Sequence, residues 1–248
     1  MNFSKRVETS NRSINSMPTV LVTGANRGLG LEFARQYTKL GWDIIACTRK
    51  PNAPELLELN QSLLQICELD VIDHPAIDAL AAKLSEVTVD VLVNNAGTTG
   101  PKGAPECMEY SGVDNTDYDI WREVFEVNLL GAFKVATAFQ PHLSRAERGV
   151  LLNMSSDLGS IAQNTMGNMY SYRSSKSALN MLTKGFSIDW KDIICVSMAP
   201  GWCRTELGGP GAEIEPADSV AEQIKAIAKL SQEQSGSFID RFGQSVAW

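Results

Sequence analysis

The sequence predicts an α/β chain built on a doubly wound parallel sheet of about seven strands, with helices on both faces. Three observations predict it. Short runs rich in Val, Ile and Leu recur along the chain, segments with apolar residues at helical spacing separate them, and a glycine-rich turn joins the first run to the first helix.

Each element has its own signal. TVLVTG (19–24), DIIACT (43–48), LLQICEL (63–69), VDVLVN (89–94), GVLLNMS (149–155) and IICVSMA (193–199) are short and almost continuously apolar. Strands covered on both faces read this way. Helical spacing marks 29–40, 75–87, 117–143 and 170–190, and a last helix over 218–230 precedes an edge strand around SFID (237–240). No repeat or low-complexity linker divides the chain, so one domain is expected over 19–248. Residues 1–18 are polar, lack the apolar segment of a secretory signal, and are expected to form a flexible tail, with Met17 a candidate functional start.

Composition excludes several classes. The 248 residues are 44% hydrophobic and 21% charged, with a formal net charge of −7 and no basic block. Nucleic acid and anionic membranes are therefore not expected partners. No apolar run approaches a membrane span, and a cytoplasmic location is expected. Cys47, Cys67, Cys107, Cys195 and Cys203 are scattered and form no C-x-x-C, which fits reduced structural thiols and no metal site. His74 and His142 are isolated and expected on the surface, which argues against a His-dependent hydrolase.

The turn TGANRGLG (23–30) places Gly24, Gly28 and Gly30 between a strand and an amphipathic helix. Glycines there let backbone approach a pyrophosphate, and the helix start offers free N–H groups. The missing G-K-[ST] excludes a P-loop and leaves a dinucleotide. The second strand ends in Thr48, Arg49 and Lys50 with no acid, and Arg27 adds a cation inside the turn. An acid would bind a ribose 2′-hydroxyl, whereas arginine holds a 2′-phosphate, so NADP(H) is expected. Two long loops, 98–115 and 200–216, leave carboxyl ends of strands, where ligands bind in such sheets.

YSYRSSK (170–176) sets Tyr172 four residues before Lys176, while Tyr170 has Ser174 at that spacing. On a helix the pair shares one face, which a solvated surface also permits. The pair alone decides nothing.

Joined in order, TGANRGLG (23–30), LD (69–70), NNAG (94–97), VN (127–128), SS (155–156), YRSSK (172–176) and PG (200–201) resemble the short-chain dehydrogenases/reductases, from about Thr19 to the C-terminus. NMSSDLGSIAQNT, PGWCRTELGG and the terminal VAW further resemble the C-factor/sniffer-type carbonyl reductase branch. The resemblance implies a single-domain Rossmann fold and a catalytic tetrad of Asn128, Ser156, Tyr172 and Lys176. It implies cofactor contacts from Gly24, Asn26, Arg27, Gly28, Leu29, Gly30, Arg49, Asp70, Val71, Asn95, Ala96, Gly97, Tyr172, Lys176, Pro200, Gly201 and Thr205. Asp70 would meet the adenine and Thr205 the nicotinamide amide. A homodimer or homotetramer is the family's usual state. The distance from Ser156 to Tyr172 is sixteen residues where the family has about thirteen, so a three-residue insertion lies between them, and Ser155 stays open as an alternative serine.

The chemistry needs these types. Hydride addition to a carbonyl carbon leaves an oxyanion that must take a proton. A Lys176 cation, with the charge of oxidised nicotinamide, is expected to lower the Tyr172 phenol below its usual ~10. Ser156 would hydrogen-bond the developing oxyanion, and Asn128, by resemblance, would hold a relay water. The expected activity is NADP(H)-linked hydride transfer with a small carbonyl or alcohol substrate. The alternative is a nucleotide-binding signalling protein of the same fold with little turnover. Trp202, Met166, Met169 and Tyr170 are candidate apolar pocket residues.

Overall fold

The computed structural model describes residues 17–248. The expected tail, apart from Met17 and Pro18, lies outside the described residues. The strands are β1 (Thr19–Thr23), β2 (Asp43–Thr48), β3 (Leu64–Glu68), β4 (Val91–Asn94), β5 (Gly149–Met154), β6 (Ile193–Ala199) and β7 (Ser237–Asp240). The helices are α1 (Gly28–Lys39), α2 (Pro54–Leu57), α3 (His74–Lys83), α4 (Tyr118–Phe125), α5 (Ala132–Leu143), α6 (Tyr170–Asp189) and α7 (Pro216–Lys229).

All strand pairs are parallel, in the order β3-β2-β1-β4-β5-β6-β7. The chain reverses its winding between β1 and β4, which opens a crevice at their carboxyl ends. Alternation along β1 explains the unbroken apolar signal. Val20 and Val22 pack with Phe33, Tyr37 and Ile227 on the α1/α7 side, whereas Leu21 packs with Ile77, Phe139 and Phe186 on the other. Both faces of β1 are covered, so it has no wet side to fill with polar residues, whereas the edge strand β3 exposes Gln65 and Glu68.

The structure departs from the sequence reading in two places here. The segment 117–143 is not one continuous α-helix: a π-helical turn, Glu126–Gly131, separates α4 from α5. Periodicity counts apolar positions and does not register one widened turn. His142 is not a surface residue. It is 4% exposed, and its Nε2 lies 3.2 and 3.1 Å from the Ala81 and Leu84 carbonyl oxygens at the end of α3. The Ala81 carbonyl lies in the last turn of α3, where the helix offers no partner, and the imidazole supplies one; the Leu84 carbonyl also accepts from Val87 N–H at 2.8 Å. Burial pushes the His142 pKa down, which suits a neutral donor.

Candidate active site

At the crevice, α1 starts straight out of the glycine turn. Its N-cap, Arg27, makes no side-chain cap, so the first-turn N–H groups face outward uncapped. Gly24 and Gly28 have φ of +67° and +54°, and a Cβ at Gly30 would sit 2.3 Å from the Gly24 carbonyl oxygen. Only glycine lets helix and strand approach this closely. Asn95 fixes the turn from the neighbouring strand end, donating from Nδ2 to the Thr23 carbonyl at 2.8 Å, while Asn95 and Ala96 N–H both donate to Thr23 Oγ1. Thr48 donates to Asn26 Oδ1 at 2.8 Å and joins the turn to the end of β2.

A cleft of about 740 Å³ opens beside it, lined by Asn26, Arg27, Gly28, Leu31, Arg49 and Lys50 among others. Uncapped N–H groups, close backbone and three cations fit the pyrophosphate and phosphorylated ribose of a dinucleotide. Two of the cations have acidic neighbours: Arg27 pairs with Glu206, and Arg49 lies 3.7 Å from Asp70. All four side chains are at least partly exposed, so exchanging an acid for a phosphate costs little.

Farther along the crevice, Tyr172 and Lys176 lie one turn apart on α6, both buried. The Ser156 side chain lies near enough to the Tyr172 phenol to favour its ionised form, while its Oγ accepts from Leu158 N–H at 3.1 Å. Ser155 points the other way and donates to Asn180 Oδ1 at 2.7 Å, so of the two serines only Ser156 faces the tyrosine. Lys176 Nζ donates to the Met154 carbonyl at 2.7 Å.

Asn128 sits in the π turn, 1% exposed. Its amide is spent on protein: Oδ1 accepts from Thr98 N–H, and Nδ2 donates to the Thr98 carbonyl and Ser175 Oγ, at 2.8, 2.8 and 3.0 Å. A Cβ at Gly97 would lie 3.3 Å from Asn128 Oδ1 and 3.5 Å from Lys176 Nζ. Gly97 thus keeps open the narrow space between them.

The electrostatics of the chain alone show what the cofactor would have to add. Burial pushes the Tyr172 phenol up to about 12, with the nearby Ser156 side chain acting the other way. Burial pulls Lys176 down to about 8. Removing both groups from water disfavours each one's charge. The chain alone therefore does not give the depressed phenol that the Tyr-Lys spacing suggests.

The two long loops meet over this site: Ala104 N–H donates to the Leu207 carbonyl at 2.8 Å. Against Tyr172 they and their neighbours set Cys107, Met169, Ala104, Met108 and Leu158. Of the expected pocket residues only Met169 is there. Met166 is 75% and Trp202 51% exposed, and Tyr170 is at the surface. The segment between Ser156 and Tyr172 enters α6 through Gly167, Asn168 and Met169, all with positive φ, and this turn drives Met169 inward. Cys107, Met108 and Leu158 had one signal in the sequence, the length of their loops.

A further arrangement had no signal at all. Asn94 donates to Asn153, Asn153 to Thr183, and Ser197 to Thr183, at 3.0, 2.9 and 2.8 Å. This buried polar chain ties β4, β5 and β6 to α6 beneath the site and fixes where Tyr172 stands. Asp70 lies at the cleft with Arg49, Val71 is buried behind it, and Leu29 packs on the core. Thr205 approaches Gly28, with its Cγ2 3.3 Å from the position a Cβ would take. Pro200 and Gly201 end β6 and start that loop; the Pro200 carbonyl accepts from Ser219 Oγ at 2.7 Å.

Comparison with known proteins agrees with this geometry. A family model described as short chain dehydrogenase matches residues 18–215. The chain is similar to C-signal of Myxococcus xanthus, 36% identical over 172 residues, covering 68% of this chain and 99% of that one. Among solved structures it is similar to an NADPH-bound carbonyl reductase from chicken fatty liver, with TM-score 0.84, 31% identity, and coverage of 94% and 100%. Carbonyl reductase Sniffer of D. melanogaster gives TM-score 0.84 and 33% identity at the same coverage.

Proposed function

This chain belongs to the short chain dehydrogenase family, and from that premise we propose that it reduces ketones or aldehydes with NADPH, using Tyr172 as general acid. The observation that carries the proposal is the juxtaposition of Ser156 and Tyr172 with Lys176 one helical turn on, at the carboxyl ends of β4 and β5.

The uncapped start of α1 and the Gly24–Gly30 turn would hold the pyrophosphate, and Arg49, with Arg27 and Lys50, the 2′-phosphate. Asp70 and Val71 would border the adenine, and Asn95, Ala96, Gly97 and Thr205 the nicotinamide half. Bound NADPH would supply the hydride. Ser156 would hydrogen-bond the substrate carbonyl oxygen and aim it at Tyr172. Tyr172 would deliver its proton as negative charge grows on that oxygen. Lys176 Nζ, beside Gly97, stabilises phenolate once the proton has left. Asn128 holds the Thr98 backbone and keeps the route past Gly97 open for reprotonation. The apolar Cys107, Met108, Met169 and Leu158 offer no charged partner, so a neutral carbonyl compound suits the site.

Loss of NADPH absorbance with a panel of ketones and aldehydes tests the reading. The similarity to C-signal favours a second reading, a nucleotide-binding signalling protein with little turnover. Tight NADPH binding without consumption on any of the panel would select it.

A further inference from the structure

Cys47 and Cys67 face each other in register, on β2 and the edge strand β3. Residues paired this way project to one face, and both thiols lie in the core layer that α3 covers. Each thiol lies close enough to shift the ionisation of the other. Neighbouring strands lie about 4.7–4.9 Å apart, within the roughly 4.4–6.8 Å between Cα atoms that a disulfide spans.

The thiols are not equivalent. Cys67 is 8% exposed and Cys47 1%. The neighbouring Cys47 thiol, with the Lys83 ammonium and Gln65 assisting, draws Cys67 down to about 7 against the opposing effect of burial. Cys47 is held well above its ordinary value by the neighbouring Cys67 and by burial. Cys67 is thus the more readily ionised of the two and Cys47 the thiol beside it.

What lies next to the pair gives it consequence. The Cys47 carbonyl accepts from Ala25 N–H of the glycine turn at 3.1 Å. The next residue, Thr48, holds Asn26 of that turn and accepts the Leu69 N–H at its carbonyl. One residue beyond each of these stand Arg49 and Asp70, 3.7 Å apart across the cleft.

We propose that Cys47 and Cys67 form a reversible disulfide on exposure to a hydroperoxide, and that this bond weakens dinucleotide binding at the adjoining strand ends. The Cys67 thiolate attacks a peroxide oxygen, the O–O bond breaks, and hydroxide leaves and is protonated to water, giving Cys67 sulfenic acid. The Cys47 sulfur then attacks the sulfenic sulfur, and the S–O bond breaks. The hydroxyl leaves with the Cys47 proton as a second water. Two thiols lose two electrons and one hydrogen peroxide gains them. A disulfide brings its Cβ atoms to about 3.5–4.5 Å, closer than parallel strands hold them. Closure therefore draws the ends of β2 and β3 together and disturbs the bonds to Ala25 and Asn26. The effect on affinity rests on the NADPH reading above, whereas bond formation does not.

The test treats the folded, reduced protein with hydrogen peroxide, blocks remaining thiols with N-ethylmaleimide, and maps peptides by mass spectrometry. NADPH affinity is read in parallel by fluorescence titration. The expected result is a peptide joining residues 47 and 67, lighter by two hydrogens, with NADPH bound roughly tenfold more weakly. Dithiothreitol should reverse both, and Cys67→Ala should show neither change. Should Cys67→Ala not fold, wild type with and without dithiothreitol gives the same decision. Both cysteines carrying maleimide after peroxide, or a joined peptide with unchanged affinity, would overturn the proposal. If the reduced protein binds no NADPH, the proposed function falls and the affinity half with it, and the peptide map still decides the disulfide.

Discussion

Lys176 Nζ stands 5.6 Å from the centre of the Tyr172 ring and donates to the Met154 carbonyl rather than to the phenol. The ammonium is therefore close enough to stabilise a phenolate, yet held by backbone in a place set before any ligand arrives. Burial works against that stabilisation by lifting the phenol to about 12 and lowering the lysine to about 8. Catalytic poise needs a further positive charge in the site, which the oxidised nicotinamide ring would bring.

Tyr172→Phe should fold and bind NADPH, while carbonyl reduction falls by about 10²–10⁴, the usual cost of losing general acid catalysis. Tyr170→Phe should keep most of the activity, because Tyr170 is 36% exposed and outside the cluster around Cys107. Steady-state rates on the best ketone check both. A Tyr172→Phe enzyme with near wild-type turnover would remove the proposed general acid.

Lys176 predicts a pH effect on stability. Its pKa is about 8 in the folded chain against an ordinary 10.5, so between those values the unfolded chain binds more protons. Stability contributed by this residue must then rise with pH through that window and be poorest below pH 8. Lys176→Met lacks the effect. The stability of wild type relative to the variant should improve by about 2 kcal/mol between pH 7.5 and 10. Urea melts across that range decide it, and parallel curves for the two proteins would show that the lysine titrates normally.

Arg49 is expected to select the cofactor. Arg49→Asp removes a charge-assisted phosphate contact and sets two acids side by side with Asp70. NADPH should bind about tenfold to a hundredfold more weakly, on the order of 1.5–3 kcal/mol, with NADH changed little. Fluorescence titration with both nucleotides measures it. Equal wild-type affinity for NADH and NADPH would contradict the assignment.

Two glycines should respond in opposite directions to alanine. At Gly30 the new methyl meets the Gly24 carbonyl at 2.3 Å and Asn95 Nδ2 at 2.6 Å, and backbone cannot give way. A loss of about 1–3 kcal/mol and weaker NADPH binding are expected. Gly185, inside α6, has nothing within 4 Å of its Cβ position. Gly185→Ala should stabilise by about 1 kcal/mol through helix propensity. Denaturant midpoints read both, and a stable Gly30→Ala protein with intact NADPH binding would mean that the turn can yield at Gly24.

Much was legible from the chain itself. Strand positions were, because a strand buried on both faces must be apolar along its whole length, as Val20, Leu21 and Val22 are. The glycine turn was legible because only glycine satisfies its contacts, and its order before α1 gave the dinucleotide reading. The motif order carried the family, which no single motif such as Tyr172-x-x-x-Lys176 could have done.

The tertiary structure decided the rest, because long-range contacts leave no periodic trace in a sequence. It turned Ser155 to Asn180 and Ser156 to Tyr172. It widened one helical turn around Asn128, and it sent His142 inward to the carbonyls ending α3. It brought Cys107 from a loop to the tyrosine and Cys47 to Cys67 across two strands. Above all it set the phenol and the ammonium in a dry site, where burial disfavours the charge of each. Spacing along the chain specifies which groups can meet. The depth at which they meet is a property of everything packed around them, and that depth fixes which of them carries charge.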